Sequence, residues 1–190
     1  SIPKTVSTIG RCALSSAKNV YAEHFTGDML TAIILPPAAR SNRSFTALTI
    51  DAREAVGIRK TFYVPKHLKH KHIDTVKYAI FDFLAGKNDI TNRFYMYSSS
   101  LDEKQDTALA IYKDCKDEQA KEYVKKYAVS MLERYIETER YDDFIDFINL
   151  DILSSARLKS ILQITEDAPV LAACVLDKLK TKNNSQKFVI

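Results

Sequence analysis

The chain is short of several things that whole classes of function require. Only four of its 190 residues are glycine and five are proline, and tryptophan is missing. With so few glycines there is no phosphate-cradling loop. Neither G-x-x-x-x-G-K-[ST] nor G-x-G-x-x-G occurs, which argues against nucleotide- and dinucleotide-dependent enzymes of those types. The three cysteines, Cys12, Cys115 and Cys174, lie far apart and form no C-x-x-C. An odd, sparse set of this kind is not a disulfide framework. Each falls on an apolar helical stripe, so each is expected to be a reduced, buried thiol packed as a small hydrophobe in an intracellular protein, cytoplasmic or nuclear.

Long apolar runs are missing too. The longest, Met29 to Ala39, contains Pro36 and Pro37 and falls well short of the ~18 to 20 residues of a membrane span. A soluble chain is expected. No targeting signal is legible, although the chain begins at Ser1, so that absence carries little weight. There is no G-x-S-x-G and no cysteine with a histidine beside it in sequence. A non-enzymatic protein without cofactor or metal is the expectation.

What is present suffices for a packed core: 46% of residues are hydrophobic and 27% charged. The net charge of +4 hides an asymmetry along the chain. Residues 1–72 hold 11 Lys and Arg against 4 acidic residues, whereas residues 101–180 hold 12 against 17. A basic front and an acidic back suit two surfaces with different partners, or halves that attract one another.

Periodicity divides the chain at about residue 100. Ser7 to Phe25 has helical spacing through Ile9, Ala13, Ala17, Val20, Tyr21 and Phe25, with Gly27 as a stop. Asp28 to Leu35 is too short to assign between strand and helix. Phe45 to Ile50 is rich in β-branched and apolar residues. Val56 to Val64 alternates with period two, as a half-buried strand ending at Pro65 does. Ile73 to Leu84 is helical again, and Phe94 to Tyr97 reads as a short strand.

From Ser100 onward helices follow one another, the first opened by the capping-box pattern Ser100-Leu101-Asp102-Glu103. The cleanest stripe runs over Glu118 to Glu139. Asp167 is the expected cap of the last helix, with Pro169 in its first turn. Short connections favour antiparallel neighbours. The expected fold is α+β and predominantly helical: a basic, mixed region over 1–100, an acidic helical-hairpin array over 101–180, and a polar tail over 181–190.

Three constellations bear on function. His67, His70 and His72 are close enough in sequence to suggest a metal site, but Lys66, Lys69 and Lys71 lie among them and no metal-binding spacing is matched. Asp142, Asp143 and Asp146 read as the solvated face of an amphipathic helix. The basic segment Arg53, Arg59, Lys60, Tyr63, Lys66, Lys69 and Lys71 mixes cations with aromatic rings, the ingredients of a nucleic-acid or anion surface. Arg40 and Arg43 extend that set.

Ten tyrosines, five of them between Tyr112 and Tyr141, point instead to protein contacts. Tyr123, Tyr127, Met131 and Tyr135 mark either a core seam or a docking face. The sequence reading is therefore a scaffold or adaptor module for a protein partner or a second copy, with nucleic-acid binding as the alternative.

Overall fold

The computed structural model describes residues 1–3, 5–10, 14, 17–24, 26–34, 44–52, 57–87 and 92–187. The fold is α+β and mostly helical, as expected, with a small three-stranded mixed sheet near the N-terminus. Its elements are β1 (Asn19–Ala22), α1 (Gly27–Ile34), β2 (Phe45–Ala52), β3 (Ile58–Pro65), α2 (Ile73–Leu84), α3 (Leu101–Cys115), α4 (Glu118–Glu137), α5 (Tyr141–Asn149), α6 (Ser155–Gln163) and α7 (Pro169–Lys187). Single 3-10 turns cover His70–His72 and Phe94–Tyr97. The chain forms two compact units, 1–120 and 121–190, so α3 belongs with the sheet.

In the first unit β1 pairs parallel with β2, and β2 antiparallel with β3. The register aligns Val20 with Leu48 and Leu48 with Phe62 on one face. Those residues are fully or nearly buried and pack with Met29 and Leu30 of α1 and Val76, Ile80 and Phe83 of α2. Phe62 is edge-on to Phe83 at 5.4 Å and stacked on Phe94 at 5.8 Å. Alternation along β3 is thus what its sequence pattern predicts, with Phe62 and Val64 inward. Its free edge is closed by Asn92, whose amide accepts from Tyr63 N (3.1 Å) and donates to the Thr61 carbonyl (2.8 Å). That pairing satisfies edge groups that would otherwise invite another strand.

Three local expectations are corrected. None of the described residues between Ser7 and His24 is helical, and Asn19–Ala22 is strand. The helical stripe there competes with a period-two pattern, Val20 and Ala22 inward and Tyr21 outward, and pairing with β2 decides it. Gly27 opens α1 rather than ending a helix, and Thr26 Oγ1 caps it by accepting from Met29 N at 3.2 Å. Phe94–Tyr97 is a 3-10 turn, not a strand, burying Phe94 and Tyr95.

The second unit is helix packed on helix. Val124, Ala128, Met131, Leu132 and Tyr135 of α4 are buried at three- and four-residue spacing. Phe144, Phe147 and Ile148 of α5 are equally enclosed, as are Leu158 and Ile161 of α6 and Leu171 and Val175 of α7. Ser154 caps α6 by accepting from Arg157 N at 3.2 Å. Pro169 is the first residue of α7, where a missing N–H costs little. Asp167 stands ahead of that start, and it is Ala168 whose carbonyl accepts from Ala172 N.

Glycine scarcity shows at the helix ends. Lys116, Glu139 and Asp151 hold left-handed backbone at φ 54, 54 and 58°, a conformation usually left to glycine.

Candidate functional site

The basic segment does not form one surface. Neighbouring positions on a strand face opposite ways, so Arg59 and Lys60 are on different sides of β3. The Arg59 guanidinium lies 5.2 Å from the centre of the Tyr21 ring on the outer face. Lys60 extends past Phe62 and Phe83 at 5.3 and 5.7 Å on the core side. Tyr63 is half-buried, edge-on to Phe45 at 5.6 Å. Burial, followed by the charge and hydrogen bond of Asp114, pushes its phenol up to about 12.

Lys66 is buried, and its ammonium donates to the Ala17 carbonyl at 3.3 Å. Lys69 and Lys71 are exposed. Arg53, with Arg40, Arg43 and Cys12, lies outside the described residues.

The three histidines also part company. His72 stacks on Tyr97 at 4.3 Å between centroids, His70 is exposed, and His67 turns to α3. Among the described residues no group of three His, Cys, Asp or Glu side chains could hold a metal ion.

His67 belongs to a polar cluster of the first unit that sequence spacing does not reveal. Its Nδ1 is hydrogen-bonded to Glu103 Oε1. The other oxygen, Glu103 Oε2, accepts from His67 N (2.9 Å) and from Ser98 Oγ (2.9 Å). Ser99 N and Oγ both donate to the His67 carbonyl, at 2.8 and 3.0 Å. Ser98 is fully buried and Glu103 nearly so.

The capping box is therefore half-made. Ser100 Oγ accepts from Glu103 N, but Glu103 reaches out to His67, and Ser98 Oγ takes the Ser100 amide at 3.1 Å. The residue expected to close a helix end holds an imidazole from a segment 36 positions away.

The tyrosine seam divides by depth. Met131 and Tyr135 are core, with exposures of 0% and 1%. Tyr123 and Tyr127 are half-buried, their rings 4.7 Å apart.

The second unit also carries an open hollow of about 310 Å³. Tyr141 and Ile145 of α5 form one wall, and Asp167 to Leu171 at the start of α7 form the other. The lining is mostly apolar, yet Tyr141 and Val170 are 46% and 73% exposed. Asp142 and Asp146 are exposed on α5, while Asp143 binds Arg140 at 2.7 Å. That arrangement is the solvated acidic face anticipated from the sequence.

Cys115 and Cys174 are free thiols, but they are exposed and half-buried rather than enclosed. Cys115 ends α3, where its Sγ donates to the Ile111 carbonyl at 3.2 Å. Burial nonetheless raises both thiols above their ordinary value of 9.0, which favours the less reactive protonated form.

Comparison with family models, with curated proteins and with solved structures finds no match to this chain. Among the described residues no helix is long and apolar enough to cross a membrane.

Proposed function

We propose that this protein is a non-enzymatic, intracellular interaction module whose helical unit takes an apolar segment of a partner protein. The observation that carries the reading is the α5–α7 hollow. Val170 and Tyr141 leave large apolar surface in water beside a concave, apolar lining, the kind of surface that marks a protein contact. Asp167 in its lining, with exposed Asp142 and Asp146 next in sequence to Tyr141 and Ile145, favours a segment that also carries lysine or arginine.

Nucleic-acid binding is the weaker reading, because the cations proposed for it are divided between faces and Lys66 is buried. Acidic α3 also falls in the same unit as the basic residues. Charges there come to 17 Lys and Arg against 13 acidic residues in 1–120, and 11 against 11 in 121–190. The first unit keeps the chain's whole net charge of +4, down from +7 over residues 1–72, and the second is neutral.

Selection of a displayed peptide library on the intact chain tests the proposal. Enriched sequences are expected to combine apolar anchors with Lys or Arg and to lose binding to Val170→Asp. Failure to enrich any sequence sensitive to that change would remove the groove as a docking site.

A further inference from the structure

Five groups, His67 N and Nδ1, Ser98 Oγ, and Ser99 N and Oγ, converge on the Glu103 carboxylate or the His67 carbonyl, and His67 Nε2 is left over. Glu103 Oε2 accepts from a backbone amide and a serine hydroxyl, so the side chain acts there as an acceptor. With the proton on Nδ1, facing Oε1, the ring lone pair lies on Nε2. The imidazole side chain is 44% exposed although Glu103 is buried, at 8%. An enclosed carboxylate thus holds a ring whose far nitrogen is open to reagents. This geometry fixes the direction of an imidazole nucleophile.

The surroundings select the charge of what it meets. Leu68 is buried and bridges to Ser98, with Lys69 N donating to the Tyr97 carbonyl at 2.9 Å. His67 and Lys69 flank Leu68, two positions apart in the chain. Lys69 is exposed, as is Lys71 beyond it. Exposed ammonium groups this near in sequence to a nucleophilic nitrogen suit an anionic electrophile.

We infer that His67 is a phosphoryl-acceptor site served by small acyl phosphates. Nε2 donates its lone pair to phosphorus, the P–N bond forms, and the P–O bond to the acyl group breaks. The electron pair leaves with the acyl oxygen as a carboxylate. Nδ1 keeps its proton, and Glu103 offsets the positive charge the ring acquires. A module that carries a phosphoryl group needs no catalytic pocket of its own. The mark would stand on the first unit, so it is independent of the groove on the second.

Incubating the full chain with acetyl phosphate, followed by phosphorus and histidine-nitrogen NMR, tests this. Phosphorylation is expected at His67 Nε2, faster than at exposed His70 by roughly tenfold to a hundredfold, the weight of one charge-assisted hydrogen bond. Glu103→Gln is expected to erase that advantage both for acetyl phosphate and for the uncharged acylating reagent diethyl pyrocarbonate. Lys69→Ala, at an exposed position, is expected to slow only the reaction with acetyl phosphate. Equal rates at His67 and His70 in the unaltered chain would overturn the inference without any variant. A Lys69→Ala change that slows neither reagent, or both alike, would overturn the anionic-donor part of it.

Discussion

The two units reach stability by different means. Residues 1–120 stack a sheet between helices and spend buried polar groups to do it: Glu103, Gln105, Asp106, Thr107, Ser98 and Lys66 are all enclosed. Asp106 accepts from Ser44, Glu103 from His67, and Asp117 from Arg93, each pairing far apart in sequence. Residues 121–190 have a core that is apolar almost throughout, Thr165 being the buried polar exception among the described residues. Polar pairing fixes the first unit's geometry, since a buried donor or acceptor tolerates few alternatives. Helix packing gives the second unit less directional constraint, while each unit leaves large apolar side chains in water, Tyr78 and Leu101 in the first and Val170 and Tyr141 in the second. The first unit thus gives the proposed His67 site a constrained frame, and the second carries the hollow proposed to take a partner.

The sharpest way to break this contrast is to empty each core in turn. Phe62→Ala removes a ring packed between Phe83 and Phe94, and Phe147→Ala removes a fully buried ring of α5. Each is expected to cost about 3–5 kcal/mol. Amide hydrogen exchange is expected to show Phe62→Ala deprotecting β2 and β3 while α5 to α7 stay protected, with Phe147→Ala doing the reverse. If either variant deprotects both regions equally, the chain unfolds as one body and the comparison collapses.

The two units also differed in how openly their sequences announced them. Helices α3 to α7 were legible because each carries its own apolar stripe at helical spacing, as Val124, Ala128, Met131 and Tyr135 do. β3 was legible for the matching reason, an alternation interrupted at Lys60. β1 was not: four residues are too few for periodicity, and its partner β2 lies more than twenty positions on. The His67–Glu103 contact was illegible in a stronger sense. Ser100 to Glu103 matches a local capping motif, and nothing local shows that the carboxylate serves a distant imidazole instead. The basic segment failed as a surface because composition ignores which side of a strand a residue faces.

A smaller effect separates the polar pairings from the packing. Asp117 precedes α4, accepts from Ala120 N at 2.7 Å and pairs with Arg93 at 3.0 Å. Burial opposes its ionisation, but the Ala120 amide and the Arg93 guanidinium prevail and hold the carboxyl below its ordinary value of 3.8. A depressed folded value contributes stability that is complete above the unfolded value and disappears as pH falls through the folded one. Asp117→Ala is expected to cost about 1 kcal/mol at neutral pH, the usual weight of a helix cap. The difference from the unaltered chain should shrink as pH falls below 3.8. A cost that persists unchanged in strong acid would mean the carboxylate's charge has no part in it.

The smallest effect turns on the glycines this chain lacks. Glu139 N donates to the Ile136 carbonyl at 3.1 Å and Arg140 N to the Tyr135 carbonyl at 2.7 Å, closing α4 with paired bonds around a left-handed residue. This is a Schellman closure, a position where glycine avoids the clash a side chain suffers. The Arg140 guanidinium covers the Tyr135 ring at 4.5 Å, so the motif's side-chain contact does not involve Glu139 itself. Glu139→Gly is therefore expected to stabilise residues 121–190 by about 1 kcal/mol, less whatever glycine adds to the freedom of the unfolded chain. Lys116→Gly, at the left-handed end of α3, is expected to act likewise on residues 1–120 alone. Thermal melts followed by region-specific exchange read both gains. A gain confined to one unit per variant confirms that each closes its helices independently, and a loss at Glu139 would show that its side chain holds the turn in a way its backbone bonds do not.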